Sequence, residues 1–195
     1  MTSPSRDSPR IVTLCTGNAV RSVILGVALA DFSGAEVLTA GTHVVEGMSM
    51  SRRTREVLDS LGFVPPVHRS RQVTREMMET ADLVVAASGE HVEWVRRSCP
   101  EMAGRVATLR RLVRDLELSS RPLSDRVEWL RLDGVEIKSW EDISDPIGGE
   151  PEEFLKCARE IVGLARELSP MIRGKDPGLL MESRDGEMAP SEDSG

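Results

Sequence analysis

Short apolar segments alternate with amphipathic segments along most of the chain. Residues 10–14, 36–40, 82–87 and 105–109 are rich in apolar and β-branched residues, as strands are, and residues 82–87 are apolar almost throughout. A strand that is apolar on both faces is typical of a parallel sheet with both sides covered. Apolar residues at helical spacing occur in residues 22–31, 51–61, 74–80, 89–97, 112–118 and 152–168. This alternation predicts an α/β fold with an open parallel sheet.

The length and composition predict one folded domain with two disordered ends. A chain of 195 residues is long enough for one substantial core. The predicted domain spans residues 10–173, between a disordered N-terminus at 1–9 and a disordered acidic tail at 174–195. Residues 119–141 are polar, contain two tryptophans and are interpreted as a candidate insertion within the domain.

The composition argues against several classes of partner. A net charge of -7, no tyrosine and 3% aromatic residues do not suit a nucleic-acid-binding protein. No apolar run approaches the roughly 20 residues that cross a bilayer, so we expect a cytoplasmic location and no membrane binding. Three widely spaced cysteines, Cys15, Cys99 and Cys157, favour neither a disulfide framework nor a cysteine-rich zinc site.

The loop at residues 15–22 joins the first predicted strand to the first predicted helix. It consists of Cys15, Thr16, Gly17, Asn18, Ala19, Val20, Arg21 and Ser22. Open α/β sheets bind ligands at the carboxyl ends of their strands, and the N–H groups of a helix N-terminus attract anions. Gly17 and Asn18 tolerate left-handed backbone conformations, and Arg21 can grip two phosphate oxygens. The helix N-terminus and the positive charge of Arg21 also favour the thiolate form of Cys15. The loop therefore predicts a phosphate site with a cysteine nucleophile.

A second Cys-x5-Arg stretch, at residues 99–105, shows that the spacing alone is a weak signal. This stretch contains a proline, which has no N–H, and a glutamate, which would repel phosphate. It also precedes a predicted strand instead of following one. Cys99 is therefore interpreted as structural.

In its loop and the setting of that loop, the chain resembles the low-molecular-weight protein tyrosine phosphatases. That family has a Cys-x-Gly-Asn-x-x-Arg-Ser loop after its first strand and an Asp-Pro motif late in the chain, here Asp145-Pro146. Further similar stretches lie at residues 39–42, 67–72 and 82–85, within an overall resemblance over residues 10–168. The resemblance implies a four-stranded parallel sheet flanked by helices on both faces, with no metal and no cofactor.

The resemblance also implies a role for each residue of the site. Cys15 attacks phosphorus to form a phosphocysteine, while Arg21 and the backbone amides of residues 16–22 hold the phosphate oxygens. Ser22 donates to the thiolate, and Asp145 protonates the leaving oxygen before it activates a water. The implied substrate is phosphotyrosine in a protein, or a small aryl phosphate.

A supporting network is implied beneath the loop. Asn18, Thr39 and His68 are expected to hydrogen-bond to one another and to hold Asn18 in its unusual backbone conformation. None of the three is expected to take part in the chemistry.

Departures from the family pattern leave the substrate open. Val20 stands where the family often has a second cysteine. Ala19 replaces a larger residue, commonly isoleucine, and threonine at that place is typical of bacterial protein-arginine phosphatases. Val45 and Ile147 stand where aromatic residues often wall the phosphotyrosine ring. Losing such contacts costs on the order of 1 kcal/mol for each stacking partner.

Three alternatives to a tyrosine phosphatase follow. The first is a protein-arginine phosphatase. The second is a non-catalytic phosphate-binding or adaptor protein, which the joint presence of Cys15, Arg21, Ser22 and Asp145 disfavours. The third is an arsenate reductase, which is disfavoured because the other cysteines show no paired arrangement near Cys15. No oligomeric state is predicted.

Overall fold

The computed structural model of the chain describes residues 8–174, and the expectations for residues 1–7 and 175–195 lie outside the described residues. The strands are β1 Arg10–Cys15, β2 Glu36–Gly41, β3 Leu83–Ala86 and β4 Val106–Thr108. All their pairings are parallel, and the strands lie in the order β2-β1-β3-β4. The predicted four-stranded parallel sheet is confirmed.

Seven α-helices accompany the sheet in the described part of the chain. They are α1 Arg21–Ser33, α2 Arg52–Ser60, α3 Arg75–Glu79, α4 Gly89–Ser98, α5 Leu109–Asp115, α6 Leu123–Trp129 and α7 Pro151–Arg173. Short 3-10 helices occur at Pro100–Arg105, Leu132–Gly134 and Ser139–Glu141. None of the helices in residues 8–174 combines the length and apolar character needed to span a bilayer.

Alternate residues of the central strand face two separate apolar layers. Ile11 packs with residues of α1, α5 and α7, whereas Val12 and Leu14 pack with residues of α3 and α4 on the other side. Because both sides of the sheet are covered, β1 and β3 are apolar almost throughout. Because helices cover both faces of the sheet, the carboxyl ends of the strands stay open. The loop after β1 emerges at this end of the sheet.

Helix α1 lies unusually close to the sheet at Gly26. A Cβ atom at this position would lie 2.4 Å from Thr39 Cγ2 and 3.2 Å from Thr13 Oγ1. Only glycine leaves enough space for this approach, since a real Cβ does not come within 3.0 Å of another atom. The close contact fixes the helix whose first residue is Arg21 against β1 and β2.

Helices α5 and α7 differ from their predicted bounds by three residues or more. Helix α5 begins at Leu109, not at residue 112, because the Thr108 side chain accepts a hydrogen bond from Arg111 N and caps the helix there. The last strand is shorter for the same reason. Helix α7 continues through Pro170 to Arg173, beyond the predicted end at 168, since Ile172 is buried and its packing holds the last turn.

Residues 119–141 fold as α6 and two 3-10 helices. Val127 and Leu132 anchor this segment in the core, each with about 1% of its surface exposed. A buried ion pair between Glu141 and Arg111 fixes its end against α5. Whether the segment is an insertion stays a prediction.

Candidate active site

The loop at residues 15–22 leaves the carboxyl end of β1 at the point where its two neighbours diverge. The chain crosses from β1 to β2 on one side and reaches β3 on the other, so this edge is a topological switch point. Helix α1 begins at Arg21, so the loop runs directly into a helix N-terminus. Cys15 is 3% exposed and lies at the base of the loop. The fold therefore brings the predicted phosphate-binding loop to the expected edge.

Ser22 lies against the cysteine sulfur. The Ser22 Oγ atom is 3.0 Å from Cys15 Sγ and 3.0 Å from Asn18 Nδ2. Because the Asn18 amide can only donate in this contact, Ser22 Oγ accepts from it and has its own proton available for the sulfur. The arrangement suits a hydroxyl that donates to a thiolate.

Asn18 adopts a left-handed backbone conformation, with φ at 49°. Its carbonyl oxygen accepts a hydrogen bond from His68 Nε2 over 2.8 Å, and its Oδ1 accepts one from Arg71 N over 2.9 Å. Since the Asn18 carbonyl can only accept, His68 carries a proton on Nε2. Partial burial lowers the pKa of His68, and the nearby Arg71 charge adds to the effect. These contacts bring Asn18 and His68 together, as the sequence predicted.

Thr39 is the member of the predicted network that the structure places elsewhere. Its γ-methyl group faces Gly26 of α1, and among residues 8–174 Asn18 is bonded to Ser22, His68 and Arg71 instead. Within the described residues, Thr39 makes neither of the predicted hydrogen bonds to Asn18 and His68, and its support of the loop stays a prediction. Thr39 points towards the helix because it follows the alternation of β2, in register with Thr13 of β1.

Gly41 explains why the stretch at residues 39–42 matters to the loop. A Cβ at Gly41 would lie 2.4 Å from the carbonyl oxygen of Thr16 and 2.8 Å from Asn18 N. The next two residues then donate backbone hydrogen bonds to Cys15 O and Thr16 O, both over 2.9 Å. The segment after β2 is thus bonded directly to the phosphate loop.

Arg21 is buried, with 4% of its surface exposed, and reaches across to the segment that carries Asp145. Its Nη1 donates to the Ile143 carbonyl over 3.2 Å, and its Nη2 donates to Asp145 Oδ2 over 2.6 Å. A longer contact of 3.4 Å joins Nη2 to Thr16 Oγ1. The predicted arginine and the predicted carboxylate therefore meet in space, although 124 residues separate them.

The Asp145 side chain lies at the mouth of the site. It is 40% exposed, and its Oδ1 accepts a hydrogen bond from Ile147 N over 3.0 Å. This bond and the preceding contact of Ile143 N with Ala87 O over 3.0 Å hold the segment at the edge of the sheet. A carboxyl group that is oriented and open to solvent can exchange protons with a bound substrate or with water.

The apolar residues at the mouth are exposed and not aromatic. Val45 and Ile147 are 73% and 66% exposed. Inside the loop, Val20 is buried in the core and Ala19 is partly buried, with its carbonyl accepting from Thr54 Oγ1 over 3.0 Å. An aromatic substrate group would therefore find few stacking partners at these four positions.

His91 is a site residue that the sequence reasoning missed. It is 1% exposed, and its Nε2 lies 3.0 Å from Thr16 Oγ1 while its Nδ1 lies 2.8 Å from Ser88 Oγ. Burial lowers the pKa of His91 to about 4, and the charge of Arg21 acts in the same direction. The available signal was Ser88, which lies two residues after β3, caps α4 and stands three residues before His91, the spacing of a capping box.

The two remaining cysteines do not belong to a second loop of this kind. Cys99 ends α4 at the edge of the sheet opposite the site, and residues 100–105 form a 3-10 helix. Cys157 is buried on α7, and its Sγ lies 3.5 Å from the Ser144 carbonyl. Burial raises the pKa of Cys157 to about 12. Across residues 8–174, no group of three or more His, Cys, Asp or Glu side chains is placed to hold a metal ion.

Comparison with known proteins identifies relatives over most of the domain. A family model described as low molecular weight phosphotyrosine protein phosphatase matches residues 10–128. A protein-arginine-phosphatase of Geobacillus stearothermophilus is 30% identical over 153 residues, which cover 77% of this chain and 86% of that protein. The low molecular weight protein-tyrosine-phosphatase Etp of Escherichia coli K12 is 31% identical over 96 residues, which cover 49% of this chain and 65% of that protein.

A solved structure agrees with the same assignment. The YwlE arginine phosphatase from Geobacillus stearothermophilus superposes with a TM-score of 0.66 at 26% identity, covering 93% of this chain and 99% of that one. The similarity therefore extends through the Asp145 segment, which the family model does not reach.

Proposed function

Because this chain belongs to the low molecular weight phosphotyrosine protein phosphatase family, we propose that it dephosphorylates proteins through a phosphocysteine formed at Cys15. The leading substrate is phosphotyrosine, with small aryl phosphates as surrogates. The observation that carries the proposal is that Ser22 contacts Cys15 and that Arg21, from the same loop, contacts Asp145. We also propose that the enzyme acts in the cytoplasm, where thiols stay reduced.

In the first step the Cys15 thiolate attacks phosphorus and the bond to the leaving oxygen breaks. Arg21 and the amides of residues 16–22 hold the three non-bridging oxygens as charge is redistributed. Arg21 is bonded to Asp145 in the free site, so a phosphate dianion that takes both Nη groups releases the carboxyl group. The freed Asp145 carboxylate, which is 40% exposed, takes up a proton from solvent and gives it to the leaving oxygen.

In the second step water attacks the phosphocysteine and the sulfur–phosphorus bond breaks. The Asp145 carboxylate takes a proton from the attacking water, which yields inorganic phosphate. Ser22 donates its hydroxyl proton to the sulfur as negative charge returns to it, from a distance of 3.0 Å. Asn18 keeps Ser22 in place through its amide.

The proposal is tested with p-nitrophenyl phosphate in the presence of a chelator. We expect hydrolysis that vanadate inhibits and that the Cys15→Ala variant lacks. A rapid-quench experiment should trap one phosphoryl group per molecule of the native enzyme. Full activity of Cys15→Ala would refute the cysteine mechanism, and oxyanion binding without any turnover would instead support a phosphate-binding protein.

Phosphoarginine is the second candidate substrate. A protein-arginine-phosphatase matches this chain over 77% of its length, whereas the tyrosine phosphatase Etp matches over 49%. The absence of aromatic side chains at Val45 and Ile147 also removes contacts that would favour a phenyl ring. Turnover of matched phosphotyrosine and phosphoarginine peptides, compared by kcat/KM, decides between the two.

A further inference from the structure

A groove of about 590 Å³ opens beside the active site, between α2 and the start of α7. Its charged lining residues are Arg52, Arg53 and Glu56 of α2, and the rest of the lining is Val57, Ser60, Pro151, Phe154 and Leu155. Arg52 and Arg53 are exposed. The groove thus combines positive charge with an apolar surface.

Two hydrogen bonds connect the α2 wall of the groove to the catalytic loops. Thr54 Oγ1 donates to the carbonyl of Ala19 in the phosphate loop over 3.0 Å. Arg53 Nη1 donates over 3.0 Å to the carbonyl of Gly149, four residues after Asp145. A substrate segment that leaves the phosphate site towards α2 would therefore enter this groove.

The charge of the groove is only partly neutralised. Arg52 pairs with Glu56, and the two side chains are 89% and 59% exposed, so water screens this pair strongly. Arg53 has no carboxylate within 4.0 Å among residues 8–174. The arginine cluster on α5 differs, since Arg110, Arg111 and Arg114 each contact a carboxylate.

Two further arginines lie on the other side of the phosphate loop. Arg69 and Arg71 are exposed, and Arg71 N donates to Asn18 Oδ1 within the loop network. Neither has a carboxylate partner in the described part of the chain. Arginines without a carboxylate partner therefore lie on two sides of the site, although the chain as a whole carries a net charge of -7.

We propose that this groove binds the residues that flank the phosphorylated residue of a protein substrate, and that it selects segments with acidic and apolar side chains. A flanking carboxylate would lie against Arg52 and Arg53, and a neighbouring leucine-like side chain would pack on Pro151 and Leu155, which are exposed and half-buried. The inference rests on the proposed protein phosphatase activity and extends it to the substrate's sequence. Rim charges of this kind discriminate between partners without taking part in the chemistry.

The test compares peptides that share one phosphorylated residue and differ only in having glutamates or lysines beside it. Phosphotyrosine and phosphoarginine versions are run in parallel with p-nitrophenyl phosphate, which has no flanking residues to occupy the groove. We expect the acidic peptide to have the higher kcat/KM, and high salt to reduce the difference. Arg52→Glu should lower the acidic-to-basic ratio roughly threefold to fivefold, as expected for one exposed ion pair.

Two further variants sharpen the comparison. Glu56→Gln should raise the same ratio, because it frees Arg52 from its partner. Arg97→Glu changes the net charge equally but lies at the far end of α4, so it should leave the ratio unchanged. p-Nitrophenyl phosphate should be hydrolysed equally by all four proteins.

The possible failures are distinguishable. Turnover of p-nitrophenyl phosphate with equal rates for acidic and basic peptides would overturn the groove inference alone. Equal effects of Arg52→Glu and Arg97→Glu would do the same, because they would reflect net charge only. Loss of turnover on every phosphate ester by the native enzyme would overturn the proposed function and the inference together.

Discussion

Arg21 Nη2 lies 2.6 Å from Asp145 Oδ2, and this bond joins the phosphate loop to the segment that carries the carboxylate. The same guanidinium donates to the Ile143 carbonyl. Arg21 therefore contacts both the backbone before Asp145 and the Asp145 side chain. A bound phosphoryl group would compete for Arg21 and would change the environment of Asp145. Substrate binding and the readiness of the acid are therefore coupled through a single side chain.

Asp145→Asn should lower kcat/KM by about 10²- to 10⁴-fold on a phenyl phosphate, because the leaving oxygen loses its proton donor. The loss should be smaller for aryl phosphates whose leaving groups are more acidic, since these need less protonation. The measurement is kcat/KM for a series of substituted aryl phosphates, because kcat/KM reports the step in which the leaving group departs and not the later step in which Asp145 acts as the base. Asp59→Asn, on the exposed face of α2, serves as the control. An equal loss across the series would contradict the role of Asp145 as the acid.

Glu141→Gln should destabilise the fold and weaken catalysis. Burial opposes ionisation of Glu141, but hydrogen bonds from Arg111, the Lys138 amide and Thr108 outweigh it and keep its pKa below the usual range. The variant leaves the buried Arg111 with only Asp115, 3.3 Å away, as a charged partner, which should cost at the lower end of about 3–5 kcal/mol. Asp142, the residue after Glu141, accepts a hydrogen bond from Gly89 N and helps to hold the segment that leads to Asp145. If the Glu141 pair is lost, this segment should become less ordered and the activity should fall.

Urea unfolding and p-nitrophenyl phosphate turnover at neutral pH check this prediction. Glu160→Gln is the matched control, because the Arg110–Glu160 pair is about one-third exposed and should contribute no more than about 1 kcal/mol. Since the pKa of Glu141 is lowered by folding, its stabilisation is present above its ordinary pKa and is lost as the pH falls. Equal stability of the two variants would show that the Glu141 pair is not a structural anchor.

The unit around Cys15 could be predicted because its signals are local. An apolar strand, a loop with glycine and asparagine, and a helix follow one another within residues 10–31, and neighbouring residues determine each step. The four parallel strands followed from the same alternation of patterns. The carboxylate at Asp145 could be assigned only by resemblance to a family, since nothing local connects it to the loop.

The contacts that could not be predicted join residues far apart in sequence. His91 reaches Thr16 across 75 residues, and Arg71 reaches Asn18 across 53. Thr39 was assigned to the loop, but the alternation of β2 points it at Gly26. Such contacts depend on register and on how closely elements approach, and a single sequence expresses neither.

Gly26→Ala should destabilise the protein by about 1–3 kcal/mol, because its Cβ would overlap Thr39 Cγ2 at 2.4 Å. Thr39→Ser removes that methyl group, so the double variant should recover a large part of the loss. Gly163→Ala on α7 is the control, since a Cβ there meets nothing within 4 Å. It should be stabilising by roughly 0.5–1 kcal/mol. Thermal or urea unfolding of the native protein, Gly26→Ala, Thr39→Ser and the double variant measures the coupling between the two positions. Additive effects in the double variant would refute the contact.

His91→Gln should flatten the dependence of stability on pH between about 4 and 6.5. Burial lowers the pKa of His91 from 6.5 to about 4, so in this window the unfolded chain binds a proton that the folded chain does not. The native protein should therefore lose stability as the pH falls from 6.5 towards 4, by an amount on the order of 3 kcal/mol from this group. Glutamine keeps an amide donor for Thr16 Oγ1 but cannot titrate, so that part of the loss should disappear.

The free energy of urea unfolding at several pH values measures the loss of stability, with the variant His43→Gln of an exposed histidine as the control. Parallel pH profiles for the native protein and His91→Gln would mean that His91 does not stay neutral beneath the phosphate loop.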